Sequence, residues 1–402
     1  MCEGEVILIK TNLQDRLQQQ FEKIVENRRY LHQHPELSFQ EQNTSHFIAE
    51  QLKAYGIEVH KNIGGYGVVG YIRALNPSKT ICLRADFDAL PIPDEKDVPY
   101  KSTVEGVSHA CGHDGHTSAL LGVAKVLQEN RHLLTGNVKL LFQPAEEKPP
   151  GGAKAMVEDG VLDDVDYIFA AHLASDLPLG KYALRAGAMK GSVDAFTIKI
   201  FGKGGHGAQP HQTKDSIVIG AQLVTQLQQI VSRRIDPVDP VVVTVGSFHS
   251  GNAFNVIADV AEIEGTVRTL SAKVRTQVEA EIRAILEGLK VSSHIDYELD
   301  YLNGYPVLVN HEAEATLVKS LVEQAFGAEA YELAEQSLTA EDFAYYLEKK
   351  PGAYFLVGSH NESDATKYPH HHPKFDFDER ALLNIGDVFL KIVSHYVIEE
   401  TI

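Results

Sequence analysis

The chain has no tryptophan, only three cysteines and only three methionines among its 402 residues. Cys2, Cys82 and Cys111 are too few for a disulfide framework, and such sparse cysteine fits a reducing compartment. Basic residues are also short. The 37 Lys and Arg stand against 55 Asp and Glu, a net charge of −18. Phosphate and anionic lipid demand surplus basic charge, so neither a general nucleic-acid binder nor a membrane-surface protein is expected. No apolar run approaches the ~18 residues of a membrane span. The opening Met-Cys-Glu-Gly-Glu lacks the basic start and apolar core of a secretory leader, and Cys2 follows no apolar run that would suit a lipoprotein. The expectation is a cytoplasmic protein.

What is present is ample apolar material, 44% of residues with 23% charged, which suits a soluble globular chain of two domains. Leu13 to Leu31 and Phe47 to Tyr55 repeat apolar residues at helical spacing, and Gly56 stops the second. Short apolar runs follow at Tyr66–Ile72, Thr80–Ala85, Val138–Phe142 and Tyr167–Ala171. Runs of this length suit strands buried on both faces. The segment Thr117–Gln128 reads as a deep helix. After a linker at Gly187–Gly191 the order becomes β-α-β-β-α-β: Ala195–Phe201, Ser216–Ser232, Val241–Phe248, Val260–Thr269, Ala272–Leu289 and Ser293–Leu299. That is the order of ferredoxin-like modules. The α/β pattern then returns with a helix at Leu317–Phe326, a strand at Ala353–Val357 and a helix at Glu379–Tyr396, for which Asp378 is a plausible N-cap. The expected domains are residues 1–189 with 303–402, and an insert at 190–302.

Polar clusters fall at the carboxyl ends of three expected strands, where open α/β sheets place their sites. They are Arg84-Ala85-Asp86-Phe87-Asp88-Ala89-Leu90-Pro91, Gln143-Pro144-Ala145-Glu146-Glu147 and Ala170-Ala171-His172. Between them lies Ala110-Cys111-Gly112-His113-Asp114-Gly115-His116. A thiolate and an imidazole two residues apart suit Zn²⁺ and similar ions, although the same segment also reads as an Asp114 cap with His116 in the first helical turn. In the Glu146-Glu147 pair, one carboxylate suits a metal and the other a general base; a solvated acidic pair opening a helix is the plainer alternative. The run His370-His371-His372-Pro373 suits a metal or an exposed loop, and by itself does not say which histidine matters. In the insert, Gly202-Lys203-Gly204-Gly205-His206-Gly207 flanks one histidine with glycines, which permits close backbone approach to a ligand or simply a turn. Arg268, on a strand, suits a bidentate carboxylate clamp or a surface charge.

Taken in order, R-A-D-x-D-A-L-P, A-C-G-H-D-G-H, Q-P-A-E-E, G-G-H-G-A-x-P-H, G-T-x-R-T and the late His-x-Pro resemble the metal-dependent amidohydrolases and metallopeptidases. That group includes aminoacylases, hippurate hydrolases and auxin-conjugate hydrolases. The resemblance spans Leu31-His32-Gln33-His34-Pro35-Glu36-Leu37 to Phe375-Asp376-Phe377-Asp378-Glu379, nearly the whole chain. It implies an α/β fold: a zinc-peptidase-like catalytic domain, its mixed sheet flanked by helices, with an inserted α+β lid that dimerises. It implies two divalent ions per subunit, Zn or Mn, with Co or Ni as alternatives. Cys111, His113, Glu147, His172 and His371 match the ligands, and Cys111 the bridging one. His371 is selected because it stands two residues before Pro373. Glu146 matches the general base and Asp88 the carboxylate that supports the metals. His206 resembles the lid histidine that reaches a partner's site and steadies the oxyanion, while Asn255 and Arg268 resemble the residues that hold the substrate carboxylate. Ala258 and Ala171 depart from the usual residues without removing a chemical group. The implied reaction is hydrolysis of N-acyl amino acids by a homodimer or tetramer. A dipeptidase or aminopeptidase, a non-catalytic metal-binding relative, and a hydrolase using Cys111 as nucleophile are the rivals.

Overall fold

A computed structural model of the chain describes residues 13–398. Cys2 and the opening segment discussed above lie outside them. Residues 13–19 are helical, and a turn at Gln20 separates them from α1 (Phe21–Gln33). The single helix expected over this stretch is therefore two. Next come α2 (Gln42–Ala54), β1 (Glu58–Ile63), β2 (Gly67–Ile72), β3 (Thr80–Asp86), α3 (His113–Glu129), β4 (Asn137–Gln143), α4 (Gly152–Glu158), β5 (Tyr167–Pro178) and β6 (Tyr182–Leu184). The insert supplies β7 (Ser192–Phe201), α5 (Ser216–Gln229), β8 (Val241–Ser250), β9 (Val260–Thr269), α6 (Ala272–Ser293) and β10 (Asp296–Asn303). The chain continues with α7 (Glu312–Phe326), β11 (Tyr331–Leu333), β12 (Gly352–His360) and α8 (Ala381–Val397). No helix among the described residues is long and apolar enough to cross a membrane.

The chain divides into two compact units. The first runs to Gly187 and resumes at Val309–Glu335 and from Asp342; the second is Ala188–Leu308 with Gln336–Glu341. The second unit thus reaches past residue 302 and takes in a short later segment. In the first unit, eight strands form one mixed sheet in the order β1-β2-β4-β3-β5-β12-β6-β11. Its centre, β4, β3, β5 and β12, is parallel. Every residue of β3 is buried, which explains its unbroken apolar run: helices leave no solvated face for alternation. The interior of α3 is likewise apolar nearly all round, with Ala119, Leu120, Leu121, Val123 and Ala124 fully enclosed. In the second unit, a four-stranded antiparallel sheet runs β8-β9-β7-β10. One face carries Phe196, Ile198, Ile200 and Ile263, packed with Leu223 of α5 and Ile282 of α6. Strict alternation along β7 records the half-covered sheet.

α8 begins at Ala381, two residues later than expected, with Arg380 at its N-cap. Asp378 makes its cap-like bond one turn earlier: its carboxylate accepts the Arg380 N–H at 3.0 Å and pairs with the Arg380 guanidinium at 2.6 Å, fastening the turn that leads into the helix.

Candidate active site

Parallel pairing sets Asp86 beside Gln143 and Arg84 beside Ala170. The chain therefore leaves β3 and β4 at one edge, close to His172 in β5. The Cys111 loop reaches the same edge because α3 begins at His113. Gly112, at the helix N-cap, has φ 94°, a left-handed conformation that favours glycine; an added Cβ would also stand 3.0 Å from Leu173. The His371 N–H donates to the Ala110 carbonyl at 2.8 Å, which ties the late histidine loop to the cysteine loop.

These segments bring five donor side chains together. Cys111 Sγ lies 3.6 Å from His172 Nε2, His371 Nε2 3.3 Å from Glu147 Oε1, and His113 Nε2 3.8 Å from the same oxygen. Within each of the sets Cys111–His113–His172, Cys111–Glu147–His371 and His113–Glu146–Glu147, the donor atoms fall within 4.8 Å of one another. Ligands about 2.0–2.3 Å from one ion stand roughly 3–4 Å apart. Cys111, His113 and Glu147 each belong to two of these three sets, so the sets adjoin one another. Glu146 is 7% exposed, so the pair is not the solvated helix opening considered above.

The ring tautomers suit the same purpose. His113 Nδ1 donates to the Asp88 carbonyl at 3.0 Å and faces its carboxylate at 3.1 Å. His172 Nδ1 donates to the Leu173 carbonyl at 2.6 Å. Each ring thus turns Nε2 into the cluster, the nitrogen that a bound cation would take as its ligand in place of a proton. The other Asp88 oxygen accepts the Glu147 N–H at 3.0 Å and the Ser38 hydroxyl at 2.7 Å. One carboxylate therefore orients two of the five donors.

His113 Nε2 and Glu147 Oε1 are buried without a hydrogen-bond partner, a costly arrangement unless something else occupies the space between them. The charges agree. Burial opposes charging His113, yet Asp86 and Asp88 overcome it and raise its pKa well above the ordinary value. Burial, then the negative charge of Glu147, pushes the Cys111 thiol well up. This pocket favours positive charge, and a divalent cation would reverse the balance at the thiol. The donor set of one thiolate, three imidazoles and a carboxylate fits zinc-type ions.

Beneath lie further supports: the sequence pattern offers Asp86 less firmly than Asp88 and gives no such role to His116, Arg28 or His32. Asp86 accepts from His116 Nδ1 at 2.6 Å and from Arg84 at 2.5 Å, while His116 Nε2 accepts the Leu173 N–H at 2.9 Å. His116 thereby braces the residue next to His172. Asp114, considered above as a cap, instead pairs with Arg28 at 2.9 Å and His32 at 2.7 Å. The L-H-Q-H-P-E-L segment was the available signal, but its partners are distant in sequence.

The second unit holds His206, Asn255 and Arg268. His206 pairs with Val256 in a two-residue ladder, and the Gly207 N–H donates to the Asn255 carbonyl at 2.9 Å. His206 and Asn255 are therefore neighbours, both exposed. Arg268, on β9, is half-buried, touches Thr266 and the Val267 carbonyl, and makes no salt bridge among the described residues.

Residues 82–395 match the peptidase family M20/M25/M40. The chain is 50% identical over 368 residues to YhaA of Bacillus subtilis (strain 168), classed by name with the amidohydrolases, covering 92% of this chain and 93% of that one. It is 39% identical over 387 residues to the hippurate hydrolase of Campylobacter jejuni, covering 95% and 97%. The crystal structure of Bacillus subtilis YxeP, described as a dinuclear metal-binding peptidase, superposes with a TM-score of 0.80 at 34% identity, covering 93% and 97%.

Proposed function

Because this chain belongs to peptidase family M20/M25/M40, we propose that it is a two-metal amidohydrolase that cleaves N-acyl amino acids into a carboxylic acid and a free amino acid. The observation that carries the metal site is the convergence of Cys111, His113, Glu147, His172 and His371, with two buried donor atoms left unpartnered. These five would hold two divalent ions, Zn or Mn, with Cys111 shared. Such ions supply Lewis acidity, polarising the amide carbonyl and making water acidic enough to react near neutral pH. Glu146 accepts the proton of the attacking water and returns it to the leaving amine. Asp88 keeps the His113 ring and the Glu147 backbone in place. His206 donates to the developing oxyanion. Arg268 and Asn255 hold the substrate carboxylate. The insert, residues 190–302, acts as the lid and the dimer contact, and the cytosol is the compartment.

N-acyl amino acids are favoured by the likeness to a hippurate hydrolase. A dipeptidase would share the metals and the base but needs a group for a free α-amine. The test is to assay metal-reconstituted protein on N-acetyl and N-benzoyl amino acids beside dipeptides. Faster turnover of the acylated compounds is expected; turnover of dipeptides alone would overturn the substrate class. A Cys111 nucleophile is the other reading, and metal removal separates the two: loss of activity is expected, and activity surviving complete metal removal would favour the thiol.

A further inference from the structure

The segment that carries Glu146 and Glu147 bends sharply at Ala145, whose φ of 54° is a left-handed conformation that costs a non-glycine residue energy. Both of its peptide groups are gripped. Its carbonyl accepts the Gly152 N–H at 3.1 Å, an approach in which any Cβ on Gly152 would lie 2.0 Å from the Pro144 carbonyl oxygen. Its N–H donates to Glu41 Oε1 at 2.8 Å. Glu41 is wholly buried at the start of α2 yet does not cap its own helix. A buried carboxyl that ignores the nearby helix end and reaches a residue 104 positions away needs another reason to be there.

We propose that Glu41 is a positioning residue for the Glu146–Glu147 pair, acting through the backbone N–H of Ala145. The proposal rests on the roles given above to those two glutamates. Without this acceptor, the Ala145 N–H would be buried and unpaired, and the bend would relax toward ordinary backbone. Both carboxylates would then swing, since they follow Ala145 directly in the chain. The Glu147 N–H would also leave Asp88 Oδ2.

Glu41 does this as a neutral acid. Burial, then the nearby Asp88 charge, pushes its carboxyl up to about 8. Neutrality also spares Asp88 a second negative charge beside it. An amide has the same shape and the same acceptor oxygen, so glutamine should replace Glu41, whereas alanine or the shorter aspartate should not.

The experiment measures Zn²⁺ affinity of metal-stripped protein by calorimetry, then kcat and KM of the reloaded enzyme. Glu41→Gln is expected to stay within about threefold of the parent in both. Glu41→Ala should weaken Zn²⁺ binding by about tenfold or more and lower kcat with little change in KM. Where the alanine variant fails to fold, Glu41→Asp takes its place with the same expected losses. Parent-like Zn²⁺ affinity in the folded alanine or aspartate variant would overturn the proposal, as would a glutamine variant as impaired as these. Should the parent hydrolyse no N-acyl amino acid, the function proposed above fails, while the Zn²⁺ affinities still decide the role of Glu41.

Discussion

His371 Nε2 stands 3.3 Å from Glu147 Oε1, and the His371 backbone reaches that position at φ 64°. Its neighbours are placed differently. The His370 ring lies 4.8 Å from Phe375 and 5.4 Å from His172, and its Nε2 accepts the Ser175 N–H at 3.3 Å. His372 stacks on Tyr368 at 4.6 Å. Of three consecutive histidines, the left-handed one is His371, and it meets Glu147. His371→Ala should therefore weaken divalent-metal binding by about tenfold or more, while His372→Ala should bind as the parent does. Titration of metal-stripped proteins checks this, and equal losses in the two variants would remove His371 from the ligand set.

The two adjacent glutamates should separate in their effects. Glu146→Gln is expected to keep the fold and metal content but lose about 10²-fold or more in kcat. Glu147→Gln should lose metal affinity first, with activity recovering as the metal concentration is raised. Metal content by mass spectrometry, read beside turnover, distinguishes them. Near-normal kcat in Glu146→Gln would mean that another group takes the proton.

Much of this could be read in the sequence where the signal is local. Strands β3, β4 and β5 announce themselves as apolar runs because both faces are buried, and polar residues resume where each strand meets the open edge. The insert is legible because its alternation reports a sheet covered on one face. What escaped is set by chain distance. Nothing in the sequence ties Arg28 to Asp114, which lie 86 positions apart, or Glu41 to Ala145. The bends at Ala145 and His371 are equally silent, since neither residue type favours positive φ. The choice of His371 came from its spacing to Pro373 in the family pattern, not from the three histidines themselves. The strand β1 was missed because most of its residues are exposed, leaving no apolar run to notice.

The buried pair beneath the site should give the protein a characteristic acid response. Burial alone would raise the Asp114 carboxyl, but Arg28 and then His32 outweigh it and hold it far below the usual range. A folded-state value below the unfolded one gives stability that is fully present above about pH 4, the unfolded carboxyl value, and that is lost as pH falls below it. Both side chains of the Arg28–Asp114 pair are 0% exposed, so Asp114→Asn leaves a buried guanidinium short of one partner. Arg28 keeps Asp376 at 2.7 Å and Glu379 at 3.3 Å, so the loss should be about 1–3 kcal/mol at pH 7. Urea unfolding of both proteins from pH 7 to pH 3 should show the gap narrowing below about pH 4. A gap under ~1 kcal/mol at pH 7, or one unchanged with pH, would rule out this account.

His206 offers the most direct test of the proposed shared site. His206 is exposed and ends a two-residue strand just before a turn at Gly207, with its Nδ1 accepting the Ala208 N–H at 3.0 Å. That bond fixes the ring, leaving Nε2 as the protonated nitrogen, so the group points a donor outward. A donor fixed in this way suits a charge that develops only during reaction. His206→Ala should therefore lower kcat strongly with little effect on stability, because the ring fills no core. Glu146→Gln should be inactive for the separate reason argued above. If a dimer composes each site from the base of one chain and the lid histidine of the other, mixing the two inactive proteins and allowing subunits to exchange creates one site with both groups intact. Activity should then return, up to roughly half that of the parent for each mixed dimer, since the other site carries both defects. Mass spectrometry or differently tagged chains would prove that mixed dimers formed. Mixed dimers without activity would show that His206 serves its own chain or takes no part in the reaction.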